Sequence, residues 1–539
     1  MELCISSKSF SPDVSPTIPA SVSLPATATA TATAETRTPT VRTDNNGKPI
    51  TQGDPALQTR IFANPALASS GTAPRIGFKD LPLELVISII GHVASGSARD
   101  TAIGLYSIIR TNQYLTRAVA YDKPLLAHYH LLKQLIPLFD NYITRASVDK
   151  IESPMLEVMG PKQLKRHVTR VLGLSDGSRK KVSIVHLCAR LEALEPSDRK
   201  ALLTATFSLQ DSYKGTAIAE LGAGLAALEP SDHEALVTAT LGMSLEIYKA
   251  LAIAGLGDGL AALDPLQRQA LVTAALGLSD KSDKAVAIAG LGHGLAALAP
   301  IQRQQLLTAT LGLSHESYKA AVIAGLGHGL AALDPSQRQE LLTATLGLSH
   351  ESYKAAVIAG LGHGLAALDP SQRQELVTAA TGLSNEIYKA RAIAGLGQGL
   401  AALDPSQRQE LVTATLGLSV DSLRAWAIAG LGHGLAALSP SQRQELVTAT
   451  LGLPDESDNA RAITGLAYGL AALDPSQRQQ LLTATFDLSD WAPKAMAIAG
   501  LGTGLMALEE SQQQKLVTAI LGLPPGQDRT WAIVGLMKV

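Results

Sequence analysis

Leu326–Gly360 reads LGHGLAALDPSQRQELLTATLGLSHESYKAAVIAG, and Leu361–Leu376 starts the same text again as LGHGLAALDPSQRQEL. A chain that copies itself builds an extended surface of equivalent positions, whereas an enzyme needs a few unique side chains converging on one point. The unit can be followed by its prolines: Pro230, Pro265, Pro300, Pro335, Pro370, Pro405, Pro440 and Pro475 recur every 35 residues, Pro196 lies 34 before Pro230, and Pro161 opens a degenerate copy. Residues 161–539 therefore hold about eleven units.

Each unit reads as two helices. Asp334 before Pro335, with Gln337 three residues after the aspartate, combines an N-cap, a first-turn proline and a capping-box partner. That helix is expected to run to about Leu346 and to end in a left-handed turn at Gly347. Ser349 is expected to cap a second helix that continues to Asp369, where Pro370 stops it. Its apolar stripe is Ile358, Leu361, Leu365 and Leu368. Gly360, Gly362 and Gly364 each cost roughly 1 kcal/mol in an isolated helix, so they imply close approach of neighbouring helices. One pair cannot bury its own apolar face but stacked pairs can, which predicts an all-α chain ending in an α-solenoid. The truncated last unit, LGLPPGQDRTWAIVGLMKV, fits an end cap.

Composition narrows the function. Lys and Arg number 45 against 47 Asp and Glu, a net charge of −2, so no global field favours nucleic acid or an anionic membrane surface. No run of about 18 apolar residues and no secretory leader pattern occur, which disfavours membrane insertion. Cys4 and Cys188 are too far apart in sequence to suggest a disulfide framework or a zinc motif, and a reducing compartment suits them best. GLGHGL lacks the G-x-G-x-x-G spacing and recurs in many units, so helix packing explains it better than phosphate binding. His293, His328, His363 and His433 share one repeat position, which Asp258, Gln398 and Tyr468 fill in other units. Helices stacked about 8–10 Å apart do not bring such residues to a common ion, so a solvent-facing polar stripe is expected and no metal or cofactor. No catalytic arrangement stands out, and an enzyme with a dispersed site is the least favoured reading.

The copies differ most along one stripe of the second helix. One position reads Thr216, Leu251, Val286, Ala321, Ala356, Arg391, Trp426, Arg461, Met496 and Trp531; three residues earlier come Tyr213, Tyr248, Asp283, Tyr318, Tyr353, Tyr388, Leu423 and Asp458. Tyr, Trp and Arg dominate binding hot spots, so Tyr318, Tyr353, Tyr388, Arg391, Trp426, Arg461 and Trp531 form a candidate face for a target protein. The competing explanation is packing between repeats.

Three segments precede the array. Residues 1–75, rich in Ser, Thr, Pro and Ala, read as a disordered leader. Residues 76–122 form a small helical domain, DLPLELVISIIGHV followed by TAIGLYSIIR and NQYLTRAVAYD, with Asp80 as a cap and Pro82 in the first turn. Residues 123–160 are amphipathic linker helices, which Pro137 is expected to kink or divide.

LPLELVISIIGHV with IIRTNQYLTRAV resembles an F-box, on Leu81, Pro82, Glu84, Leu85 and Ile89 of its opening helix. The resemblance implies that these residues dock on the Skp-type linker protein of a cullin ubiquitin ligase while the repeats capture a substrate. With the Ser/Thr/Pro/Ala leader, the chain is similar to F-box effectors that plant-associated bacteria inject through type III secretion systems, which implies action in host cytoplasm. The reading is thus a non-catalytic substrate adaptor, and the alternative is a plain helical-repeat scaffold.

Overall fold

The computed structural model describes residues 123–538, Asp176 excepted, all within one compact unit of the chain. The expected leader and the F-box-like segment with Leu81, Pro82, Glu84, Leu85 and Ile89 lie outside the described residues. From Pro161 to Met537 the described residues form 22 α-helices, which make eleven pairs, and no strand. The solenoid expected from the 35-residue period is therefore the observed architecture.

The pair at Pro335–Leu346 and Glu351–Leu361 represents the rest. Asp334 accepts the Gln337 amide at 3.0 Å and Gln337 Oε1 accepts the Asp334 amide at 3.1 Å, so the capping box forms as read. Ile358, Leu361, Leu365 and Leu368 are all buried. Three details differ from expectation. Gly347 sits at φ −76° and ψ −5°, right-handed, because the helix continues through its amide, which bonds Thr343 O, and closes in a tightened turn with the Leu348 amide on Thr345 O. The second α-helix stops at Leu361 and a 3₁₀ segment, Gly362–Ala367, completes the run. Ser349 does not cap its own helix, whose N-cap is His350 without a side-chain bond; its amide and hydroxyl donate instead to Glu316 of the preceding unit.

That bond belongs to a set that repeats around the array. Glu351 accepts the Ser384 hydroxyl at 2.8 Å and the Asn385 amide at 3.0 Å, and Glu246, Glu386 and Glu456 hold Ser279, Ser419 and Ser489 in the same way. On the first helices the recurring QRQ is equally structural. Gln337 donates Nε2 to Gln304 Oε1 at 2.7 Å, and Gln372 to Gln339, so one glutamine closes its own capping box and reaches back to the neighbouring unit. The arginine between them, Arg338, donates to Leu333 O at 2.5 Å and satisfies a carbonyl at the end of the preceding 3₁₀ segment.

The glycines set the curvature. A Cβ on Gly360 would lie 2.6 Å from Ala324 of the preceding unit, and one on Gly362 would lie 2.7 Å from the Gly395 carbonyl carbon of the next. Second helices thus meet through Gly and Ala, while first helices meet through Gln and Leu side chains. Each pair is a wedge with its narrow side at the second helix, so the second helices gather on the inner side of the bend.

The wedges bring the array back to its beginning. Helix Lys123–Arg145 packs on the last two helices, Glu510–Gly522 and Gln527–Met537. Gln134 bonds Gln514 at 3.1 Å, His130 faces Glu510 at 3.5 Å, and Lys538 pairs with Glu157 at 2.6 Å. The last unit is therefore covered by the 123–145 helix and is not a free end cap. Pro137 neither divides nor ends that helix, which runs unbroken for 23 residues with Leu131, Leu132, Leu135, Phe139 and Ile143 buried on both sides of the proline. Packing along one face outweighs the single backbone bond that proline removes.

Candidate functional site

On the second helix of the representative pair, Ala355, Val357, Ile358 and Leu361 point into the core. The opposite arc carries Ser352 and Ala356 and leads to His363. Equivalent residues of successive pairs line the inner side of the closed array.

The variable residues are not uniformly free. Tyr318, Tyr353 and Tyr388 are half-buried against the core, as are Tyr213, Tyr248, Leu423, Met496 and Trp531. Packing between repeats therefore uses much of the tyrosine column. The position at the centre of the inner arc is mixed, since Met496 and Trp531 pack on the core while other units differ. Trp426 is 38% exposed, in a unit whose predecessors carry Ala321, Ala356 and Arg391. Arg461 is held by Asp458 at 2.9 Å. Arg391, half-buried, has no hydrogen-bond or ion-pair partner among the described residues, and burial lowers its pKa from the ordinary value. Guanidinium does not deprotonate in proteins, so it remains a cation whose five donors lack a protein acceptor. Ile387, 52% exposed, sits one turn before Arg391.

The shared His position faces solvent at His293, His328 and His363, as expected of a polar stripe, and also makes contacts between units. Its residues face solvent at their edges, but neighbouring rings touch: His293 to His328 and His328 to His363 have centroids 4.1 Å apart, and His433 stacks on Tyr468 at 4.2 Å. The helix axes stay separate while the flat rings reach across the gap. The column ends in a carboxylate, with His293 Nδ1 2.6 Å from Asp258 Oδ1. Burial of its faces, and then the flanking His293 and His363, push His328 down to about 4. His363 and His433 are lowered as well, first by burial. Among the described residues no group of three His, Cys, Asp or Glu is placed to hold a metal ion. Cys188 is buried, with its thiol pushed up to about 12 by desolvation, so it is not a thiolate nucleophile.

Sequence reading overlooked Glu220, which stands where other units have glycine. Burial and the nearby Asp258 raise its pKa. The signal was present as a lone departure from Gly255, Gly290 and Gly325 at that position. The inner side thus carries carboxylates at Glu220, Asp258 and Asp283, and arginine with indole at Arg391, Trp426 and Arg461, several units away.

No family model and no curated protein matches the chain. Among solved structures it is similar to a mutant of Kap121p, with 11% identity and a TM-score of 0.36 over 84% of this chain and 53% of that one, so it spans about half the Kap121p chain. It is also similar to an engineered protein, with 15% identity and a TM-score of 0.26 over 70% and 98%. A homology model of the AP-3 complex gives 10% identity and a TM-score of 0.26 over 85% and 93%. Likeness of this degree says nothing of what the chain does. No helix among the described residues is long and apolar enough to cross a membrane.

Proposed function

We propose that the chain is a non-catalytic protein-interaction solenoid whose inner face takes a target through Arg391, Trp426 and Arg461. The observation that carries this reading is the unpartnered, half-buried Arg391 next in the array to the exposed Trp426, where the two preceding units carry only alanine. An arginine without an acceptor and an indole without a cover have the composition of binding hot spots. Tyr318, Tyr353, Tyr388 and Trp531 extend the same stripe along the array and are anchored on the core.

The finer reading makes the chain a substrate adaptor of a Skp–cullin–F-box ubiquitin ligase, delivered by a type III secretion system into a host cell. It rests on the F-box-like Leu81, Pro82, Glu84, Leu85 and Ile89 and on the composition of residues 1–75. The full chain should bind a purified Skp-type linker protein, and Leu81→Ala/Pro82→Ala should abolish that binding. A photo-crosslinking residue at Ala356 should capture a protein partner that Arg391→Ala/Trp426→Ala releases, whereas one at the outward Ser371 should not. Cross-links without linker binding would leave a scaffold with no ligase role, and identical capture from both positions would sink the inner-face reading.

A further inference from the structure

On the convex side, between the pairs that begin at Pro440 and Pro475, a cavity of about 510 Å³ is lined by Leu451, Leu453, Glu456, Asn459, Gln480 and Asp487, among others. Two of these residues break the repeat. Asn459 stands where other units carry Lys319, Lys354, Lys389, Arg424 or Lys494, and Asp487 stands where they carry Gly312, Gly347, Gly417 or Gly452. One change removes a long cationic side chain, and the other adds a carboxylate beside the space it vacates.

Asn459 is 8% exposed, and its Nδ2 donates to Thr450 O at 2.9 Å, which fixes the amide orientation and leaves Oδ1 as an acceptor. That buried Oδ1 has no hydrogen-bond partner. Asp487 likewise has no partner among the described residues. Glu456 holds Ser489 and the Asp490 amide, and Lys494 lies close enough to lower its pKa, so Asp487 is the uncompensated charge at the cavity.

The preceding unit shows what fills this place. Arg424 donates Nη2 to Leu418 O at 2.7 Å and Nη1 to Asp421 Oδ1 at 2.8 Å. Thirty-five residues on, the equivalents of Leu418 and Asp421 are Leu453 and Glu456, and both line the cavity. Leu451, Leu453, Ala484 and Leu488 supply apolar walls for an alkyl stem.

We infer that this cavity is a binding site for a guanidinium group, carried by an arginine side chain of a partner or by a small free guanidine. The site offers acceptors at Asn459 and Asp487, and guanidinium is donor-only with a planar fork that suits carboxylates.

The test is isothermal titration of the full chain with agmatine, free arginine, an acetyl-Gly-Arg-Gly amide and, as the uncharged isostere, the matching citrulline peptide. Agmatine and the arginine peptide should bind and the citrulline peptide should be at least about tenfold weaker, since the charge-assisted bonds are lost. Asn459→Lys and Asp487→Gly restore residues that other units carry, so both variants should fold. The first should abolish binding, and the second should weaken it about tenfold. Preference for the peptide over free arginine identifies a protein side chain as the source; the reverse identifies the free amino acid. Equal affinity for citrulline, unchanged binding by Asn459→Lys, or no binding of any guanidinium probe would overturn the inference. None of these outcomes bears on the inner face.

Discussion

Glu316 reaches from one helix pair to the next: its carboxylate accepts the Ser349 hydroxyl at 2.8 Å and the Ser349 amide at 3.1 Å. These bonds, with that of His350, hold Glu316 at about 2, well below the ordinary carboxylate range. Glu246, Glu351, Glu386, Glu456 and Asp211 are lowered for the same reason. A carboxyl group with a depressed native pKa stabilises the fold above its unfolded pKa, and that contribution is lost as pH falls toward the native value. The melting temperature should therefore fall on acidification from about 4.5 to about 2, and Glu316→Gln should melt lower at neutral pH with a shallower acid dependence. Calorimetry across that range checks it, and an unchanged acid slope in the variant would count against the interaction.

Glycines in the two helices of a pair make opposite predictions. Gly360→Ala places a methyl 2.6 Å from Ala324 and should destabilise by about 1–3 kcal/mol in urea denaturation, since both backbones must move. Gly277, a helical residue with nothing within 4 Å of its virtual Cβ, should instead gain about 0.4–1 kcal/mol on substitution by alanine. Similar effects at the two positions would refute the wedge account of curvature.

His328 should stay neutral near pH 6 and protonate only near pH 4. A histidine whose native pKa is depressed binds protons more readily in the unfolded chain, so stability drops as pH falls from about 6.5 toward about 4. Imidazole NMR titration reads the pKa directly. His328→Gln should flatten the stability profile in that window, and a His328 midpoint near the ordinary value would remove the stacked column from consideration.

Closure of the array predicts coupling between positions about 380 residues apart. Phe139 is 1% exposed in the helix that packs on the last pair, so Phe139→Ala should cost about 3–5 kcal/mol. Hydrogen exchange should then report lost protection in 510–537 as well as in 123–145. Protection lost only near residue 139 would mean that the seam carries no stability.

The 35-residue text determined a good deal alone. The DPSQ segment states a capped helix start, the Leu and Ile spacing states which face is buried, and the glycines state that helices come close, because these are local rules read within one unit. The cross-unit bonds were not legible: nothing in QRQ says that Gln337 also reaches Gln304, and the Ser349 read as a cap for its own helix is spent on Glu316. The stacking of His328 on its neighbours and the burial of the tyrosines likewise depend on how far apart adjacent pairs stand. Closure is the extreme case. It arises from a small bend summed over eleven pairs and a helix, Lys123–Arg145, that meets the end of the chain, and no window of sequence contains that sum. The tertiary structure decided it, because in a solenoid each unit encodes only its contact with the next, and shape is what those contacts accumulate to.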